Sequence, residues 1–176
     1  IKFLCFSIPA MLLQFRTGTN SDIPQLQELA IKSWGEYEKV LLPDDWIKLF
    51  SNISNPDTYS ELLEIAHCEV CTNEENTIVG MAFLVPSGNA TEIYEASWCQ
   101  LRFVSVDPSY NGQGIAKTLT QKCISLAKQQ NEQIMALHTS EMMDKARHIY
   151  ESLGFTILKE IPPRFNKKYW LYTLTI

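Results

Sequence analysis

The residues best suited to chemistry form a glycine-spaced segment near the middle of the chain, residues 111–116, with the sequence Asn-Gly-Gln-Gly-Ile-Ala. The segment follows an apolar run and a turn at Asp107-Pro108, and a helical pattern begins after it. Its two glycines let the backbone approach a ligand closely, and the first amides of a helix lack intrahelical partners. The helix dipole adds to the attraction for an anion. This spacing predicts a phosphate-binding loop.

Two common phosphate-binding motifs do not fit this segment. A dinucleotide fingerprint requires a third glycine where Lys117 stands, and an acidic residue for a ribose after the following strand. A Walker loop requires Gly-Lys-Ser/Thr at its end, which the segment lacks. The sequence therefore argues against an NAD-binding or nucleoside-triphosphate-binding protein.

A second motif lies near the C-terminus, over residues 146–155. Its apolar positions recur at helical spacing and include Tyr150, which is expected to face a sheet. Gly154 is suited to the left-handed turn that ends a helix before the next strand. Considered alone, Tyr150 is better explained as an aromatic residue of the core.

The two motifs in this order, with a strand between them, resemble the GNAT superfamily of acetyl-CoA-dependent N-acetyltransferases. The resemblance extends from about Phe15 to the C-terminus. It departs at Asn111, where the family usually has Arg or Gln, and at Met143, where many relatives have Asn. It implies a single α/β domain with a mixed, mostly antiparallel sheet flanked by helices. Strands 4 and 5 would splay apart, and acetyl-CoA would lie in the gap.

The implied activity is transfer of an acetyl group from acetyl-CoA to a primary amine, by direct attack in a ternary complex. Tyr150 is the predicted general acid, because a phenol stays protonated at neutral pH and can donate to the leaving thiolate. Glu92 and Glu95 are the candidate general bases, with solvated loop carboxylates as the alternative. His138 could also reach the site, although a hydrogen-bonded core histidine is the preferred interpretation.

The resemblance also implies which positions contact the ligands. The predicted acceptor-binding aromatics are Trp34, Tyr37, Tyr94 and Trp98, which together with nearby carboxylates suit a cationic amine on a small molecule or a peptide. The alternative function is a non-catalytic acyl-CoA-binding or sensing module, which the departures at Asn111 and Met143 favour. The predicted cofactor-binding residues are Phe103, Val104, Ser105, Val106, Asn111, Gly112, Gln113, Gly114, Ile115, Ala116, Met143 and Tyr150.

Composition narrows the partners and the compartment. The 176 residues, 45% of them hydrophobic, suit one globular domain, here residues 11–176. The net charge of −5 argues against nucleic acid. Five scattered cysteines suggest a reducing, cytoplasmic setting, and a metal site at Cys68 and Cys71 is not expected. Residues 1–10 are too short to span a membrane and are interpreted as a non-native or upstream extension. A monomer or a homodimer is expected.

Patterning along the chain predicts the elements that position these residues. Strands are expected at 12–17, 68–72, 77–85, 98–106, 134–137, 155–161 and 169–175, and helices near 22–34, from Pro43, at 59–65, from Gly114 and at 144–153.

Overall fold

The computed structural model describes residues 12–176, so the interpretation of residues 1–10 as an extension lies outside the described residues. Five α-helices and seven strands lie in this part of the chain. The helices are α1 (Ile23–Trp34), α2 (Pro43–Ile53), α3 (Pro56–Ile65), α4 (Ile115–Gln129) and α5 (Asp144–Ser152). The strands are β1 (Gln14–Thr17), β2 (His67–Thr72), β3 (Ile78–Val85), β4 (Cys99–Val106), β5 (Ile134–Ser140), β6 (Thr156–Arg164) and β7 (Lys167–Thr175).

All seven strands form one sheet in the order β1-β2-β3-β4-β5-β7-β6. Every neighbouring pair is antiparallel except β4 and β5, which are parallel and pair only at Cys99 with Met135 and at Gln100 with Ala136. Beyond Gln100 the two strands separate. The predicted fold class, a mixed and mostly antiparallel sheet with splayed fourth and fifth strands, is confirmed.

Helices cover both faces of the sheet, and each face has its own core. On one face, α4 and α5 pack through residues such as Leu119 and Tyr150 against β3, β4 and β5. On the other face, α1, α2 and α3 bury residues such as Leu29 and Tyr59. A third, smaller cluster around Trp98 lies below the loop that precedes β4. Between the two layers, the gap between β4 and β5 remains open to a ligand.

All the predicted helices and strands are present, and several are longer than expected; helix α3, for example, begins at Pro56 rather than at residue 59. Strand β5 continues past the apolar run at 134–137 to Ser140, because its last residues pair with β7. Strand β6 continues through Pro162-Pro163 to Arg164. Proline is tolerated there because β6 is an edge strand and the register shifts between Ile161 and Arg164. No helix in residues 12–176 combines the length and the apolar character needed to cross a membrane.

Cys68 and Cys71 lie on opposite faces of β2, as positions three apart in a strand should. Both are free thiols in apolar surroundings. Burial raises the pKa of Cys68 to about 12 and that of Cys71 to about 11. Protonated thiols facing opposite cores are suited to packing rather than to joint ligation.

Candidate active site

The candidate active site is the cavity that opens where β4 and β5 part. Residues from Leu101 to Val106 line one side, and residues from Leu137 to Thr139 line the other. Phe103 and Val104 form a bulge opposite the single residue Ala82, and Phe103 adopts a φ of 52°. A left-handed backbone is costly for a bulky residue, so packing of the Phe103 ring against Tyr59 and Phe83 must hold it. The bulge interrupts the ladder with β3 and re-aims the backbone at the cavity.

The glycine-spaced loop closes one end of this cavity. Gly112 and Gly114 have φ values of 82° and 75°, and Gly114 is the N-cap of α4. The amides of residues 112–117 donate to no carbonyl group in residues 12–176. A Cβ at either glycine would meet no atom within 4 Å, so the space above the loop is free. Six consecutive amides without a carbonyl partner in residues 12–176, at the start of a 15-residue helix, are suited to binding an anion.

Tyr150 projects from α5 into the cavity between the strands. Its side chain packs edge-on against Phe155, with 5.9 Å between ring centroids, and only 8% of the residue is exposed. Its hydroxyl has no hydrogen-bond partner among the described residues, and Tyr150 lines the cavity. Burial raises the pKa of Tyr150, with smaller contributions from Tyr94 and Tyr37. The phenol is therefore a protonated donor at neutral pH.

The two positions that depart from the family pattern also line the cavity. Asn111 precedes the glycine loop, and its amide donates to the Pro108 carbonyl oxygen. Met143 caps α5, and its sulfur accepts a hydrogen bond from the Thr139 hydroxyl at 3.6 Å. The departures therefore shorten or change two side chains without removing either of them from the cavity wall.

The opposite end of the cavity is polar. His138 lies there, with its Nδ1 2.5 Å from the Tyr94 hydroxyl oxygen and its Nε2 3.5 Å from Nη1 of Arg164. Arg102 on β4 lines the same cavity. Burial, followed by the charges of Arg164 and Arg102, lowers the pKa of His138 to about 3. The imidazole is therefore neutral at physiological pH.

The turn between β6 and β7 forms a roof over this polar end. Arg164, at the end of β6, and Phe165, in the turn, line the cavity. Asn166 donates from its side-chain amide to Oδ2 of Asp45 on α2, at 2.8 Å. The turn is thereby joined to the helical layer on the far side of the cavity.

The structure brings some of the other predicted site residues to the cavity and leaves some outside it. Trp34 and Tyr37 line the cavity, whereas Tyr94 contacts it only through His138, and Trp98 lies in the third core cluster. Ser105 is buried and accepts a hydrogen bond from the Trp34 indole. Ala116 lines the cavity, while Gly112, Gln113, Gly114 and Ile115 form the adjoining loop and helix start.

Glu92 and Glu95 are exposed and do not line the cavity. The reason is the fold of their loop: Tyr94 and Trp98 turn inward to the third core cluster, so the carboxylates between and beside them face solvent. Their predicted role as general bases therefore gains no support from their positions.

Sequence reasoning missed Arg102 and Arg164. Arg102 did carry a signal, because it is the only charged residue within β4, whose other seven residues are uncharged. A charge in a strand covered on both faces destabilises the fold unless a partner or a ligand compensates it. Arg164 follows two prolines at the end of an edge strand, and its local sequence gives no comparable signal.

Comparison with solved structures defines the class of this fold. The PaiA N-acetyltransferase of Thermoplasma acidophilum, crystallised in complex with coenzyme A, superposes with a TM-score of 0.76 at 15% identity, covering 94% of this chain and all (100%) of that one. The ribosomal-protein-S18-alanine N-acetyltransferase of Escherichia coli gives a TM-score of 0.69 at 16% identity, covering 94% of each chain. The fold is that of the N-acetyltransferases.

The sequence comparisons then identify the family. The pattern of the acetyltransferase (GNAT) family matches residues 24–155, and the chain belongs to this family. Human N-acetyltransferase 8B is 33% identical over 133 residues, which are 76% of this chain and 54% of that protein. N-acetylaspartate synthetase of Xenopus tropicalis is 41% identical over 56 residues, which are 32% of this chain and 21% of that protein. The chain spans about half the length of this human protein and of human N-acetyltransferase 8, a second relative that it matches.

Membership confirms the predicted family, whose cofactor is acetyl-CoA. The site geometry fits that cofactor, because the chain has an anion-binding loop beside an unpaired strand edge. The unpaired edge of β4 from Leu101 to Val106 would pair with the pantetheine arm, and the amides of residues 112–117 would hold the pyrophosphate.

Proposed function

We propose that this chain transfers an acetyl group from acetyl-CoA to a primary amine, by direct attack in a ternary complex. The observation that carries the proposal is the Tyr150 hydroxyl, which is protonated, has no hydrogen-bond partner among the described residues and lies in the same cavity as the anion-binding loop. A binding module needs the loop but has no use for an unpaired phenol beside the splayed strands. The acceptor is a small molecule or a peptide that presents an amine.

The thioester supplies the acetyl group, and the residues of the chain provide positioning and protons. A C–N bond forms and the C–S bond breaks, so the departing thiolate needs a proton and the amine must lose one. Tyr150 donates the proton to sulfur. An amide of the bulge at Phe103 and Val104 donates a hydrogen bond to the thioester oxygen, which stabilises negative charge as it develops.

Glu92 and Glu95 are exposed and do not line the cavity, so their role as general bases stays a prediction. His138 is a weak base in the unliganded protein, because a pKa of about 3 gives its neutral ring little affinity for a proton. We therefore propose that the amine binds in its unprotonated form and that the product proton passes to water or to the Tyr150 phenolate. The buried free thiols Cys68, Cys71, Cys99 and Cys123 suit the cytoplasmic location, which stays a prediction.

Replacement of Tyr150 with Phe tests the proposed role of its hydroxyl. The ring stays in place against Phe155, so acetyl-CoA should bind with a nearly unchanged Kd. Loss of the proton donor should lower kcat by about 100-fold or more. The measurements are thiol release with an amine panel and calorimetric binding of acetyl-CoA.

Tyr172→Phe is the matched control, because its hydroxyl donates to Glu151 and the residue does not line the cavity. This variant should keep its turnover. An unchanged kcat in Tyr150→Phe would remove Tyr150 as the acid. Binding of acetyl-CoA with no amine-dependent thiol release from the wild-type protein would favour the non-catalytic module instead.

A further inference from the structure

The charge of the cavity wall is opposite to that of the whole chain. The chain carries a net charge of −5. Yet the charged residues that line the cavity are three cations, Arg102, Lys145 and Arg164, and one carboxylate, Glu36. A cationic cavity in an acidic protein attracts an anionic ligand and repels the cationic amine that the sequence analysis expected.

Two of these cations, Arg102 and Arg164, line the cavity together with His138. Arg164 approaches Nε2, and the charges of both Arg164 and Arg102 act on His138 and on its hydrogen-bonded neighbour Tyr94. A guanidinium only donates, so Nε2 is the accepting nitrogen and Nδ1 donates to the Tyr94 hydroxyl oxygen. His138 is thus a neutral spacer that cannot compensate the two positive charges.

The two guanidinium groups have no carboxylate partner in the part of the chain that the structure describes. Within residues 12–176 neither Arg102 nor Arg164 forms a salt bridge, whereas Arg16 and Arg147 both do. Arg102 is also partly buried, on a strand covered by helices on both faces. A charge in such a position is costly unless a ligand compensates it.

These cations lie at the end of the cavity away from the phosphate loop. Strand β4 runs from Cys99 to Val106 and leads into the loop, so Arg102 lies on the far side of the Phe103 bulge from the unpaired amides. Arg164 is the last residue of β6, next to the turn that forms the roof of the polar end. The phosphates of the cofactor have their own site, which leaves this end to the acceptor.

We propose that Arg102 and Arg164 bind a carboxylate group of the acceptor, so that the acceptor is a primary amine that also carries a carboxylate, such as a free amino acid. This inference rests on the proposed acetyl transfer and deepens it. The planar guanidinium fork matches the two oxygens of a carboxylate, and two such groups on different strands fix the direction in which the amine points. The amine is then directed toward the Phe103 bulge and Tyr150.

The test compares each standard amino acid with its own primary amide as acceptor, with acetyl-CoA at saturation. Amidation removes the carboxylate and lowers the pKa of the amine, so at a fixed pH more of the amide is unprotonated and reactive. The intrinsic chemistry therefore favours the amide. If the proposal holds, kcat/KM for the best amino acid should still exceed that of its amide by about tenfold or more, as expected for a lost charge-assisted hydrogen bond.

Variants assign that preference to the two arginines. Arg102→Gln and Arg164→Gln should each lower kcat/KM for the amino acid by about tenfold or more and change the value for the amide by less than about threefold. Arg164→Lys should recover part of the loss, because it keeps the charge but not the fork. Arg16→Gln, which removes an arginine far from the cavity, should keep the wild-type ratio. Calorimetry of the amino acid with the coenzyme A complex should show weaker binding in the two Gln variants.

The outcomes separate this inference from the proposed function. Equal turnover of amino acids and amides, or turnover of neutral amines alone, would overturn the carboxylate site while leaving acetyl transfer intact. A preference for O-phosphoethanolamine over ethanolamine, with no preference for amino acids over amides, would replace the carboxylate by a phosphate. Acetyl-CoA binding without turnover of any amine would overturn the proposed function itself. The wild-type comparison requires no variant, so a misfolded variant leaves the proposal testable.

Discussion

The rings of Tyr150 and His138 line the same cavity, and both are neutral for related physical reasons. Burial disfavours the charged form of any group, so it raises the pKa of the phenol and lowers that of the imidazole. The neighbouring guanidinium groups of Arg102 and Arg164 lower the pKa of His138 further. The positive charge at the polar end therefore resides on the arginines, while Tyr150 keeps the proton that the proposed mechanism gives to the leaving thiolate.

The depressed pKa of His138 predicts how stability responds to acid. As the pH falls below 6.5, the ordinary pKa of histidine, the unfolded chain takes up a proton that the folded protein excludes until the pH reaches about 3. Stability is thus fully present above pH 6.5 and is lost between pH 6.5 and 3, by at most about 1.4 kcal/mol per pH unit from this group. His138→Gln should lose stability less steeply over the same range, as measured by urea unfolding at several pH values.

The groups that face His138 are Arg102 on β4, Arg164 on β6, Tyr94 in the loop and Tyr169 on β7. The wild type and the Gln variant share the arginines, the tyrosines and every carboxylate. The difference between their slopes of stability against pH therefore isolates the histidine. Parallel stability curves would show that His138 takes up its proton in the folded state.

Strand β4 and the start of α4 form most of the proposed cofactor site. The β4–β5 pairing ends at Gln100, the bulge follows at Phe103, and the unpaired amides begin at Gly112. Each feature leaves backbone groups without partners. Such groups are normally satisfied within the fold, so their alignment along one cavity indicates a ligand that completes their hydrogen bonds.

The left-handed N-cap at Gly114 makes a specific prediction. In Gly114→Ala the new Cβ has free space around it, so its cost is backbone strain of about 1–2 kcal/mol. The loop would relax to conformations in which the amides no longer converge. Binding would have to restore them, and the Kd of acetyl-CoA should rise by about 5- to 30-fold. Calorimetric titration measures the change.

Gly88→Ala is the control for this prediction. Gly88 has a φ of 97°, equally free surroundings and no place in the cavity wall. It should lower thermal stability by a similar amount and leave acetyl-CoA binding unchanged. If both variants bind acetyl-CoA as tightly as the wild type, the pyrophosphate is not held by this loop.

The elements that the sequence predicts well are those with local signals. The glycine spacing at 112 and 114 and the Tyr150 stripe specify a turn and a helix face within a few residues of themselves. No local sequence pattern predicts the polar end of the cavity. Arg102 and Arg164 are 62 positions apart, and only sheet pairing and the position of the β6–β7 turn bring them to the same cavity. The carboxylates at Glu92 and Glu95 had suitable chemistry, but the inward turn of their aromatic neighbours directs them to solvent.

At the scale of the whole molecule, the cavity lies where three structural units meet: the helical layer α1 to α3, the splayed strands, and the β6–β7 hairpin. The cofactor end depends mainly on β4, α4 and α5. The acceptor end depends on contacts between parts of the chain that are distant in sequence, such as that between Asn166 and Asp45, 121 positions apart. We therefore expect the two ends to respond separately to mutation, with acceptor affinity the more sensitive to long-range packing.

Asn166→Gly tests that separation, because it removes the contact between the hairpin turn and α2 without adding strain. Asn166 has a φ of 54°, which glycine adopts freely, and Asp45 is only 8% exposed. Loss of the amide leaves that carboxylate unpaired, so the free energy of unfolding should fall by about 1–3 kcal/mol. The roof should loosen, so KM for the acceptor should rise while the Kd of acetyl-CoA stays unchanged.

Asn76→Gly, at a φ of 59° in the β2–β3 turn, corrects for the entropy of an added glycine. A rise in the Kd of acetyl-CoA with an unchanged acceptor KM would mean that the hairpin supports the cofactor end instead.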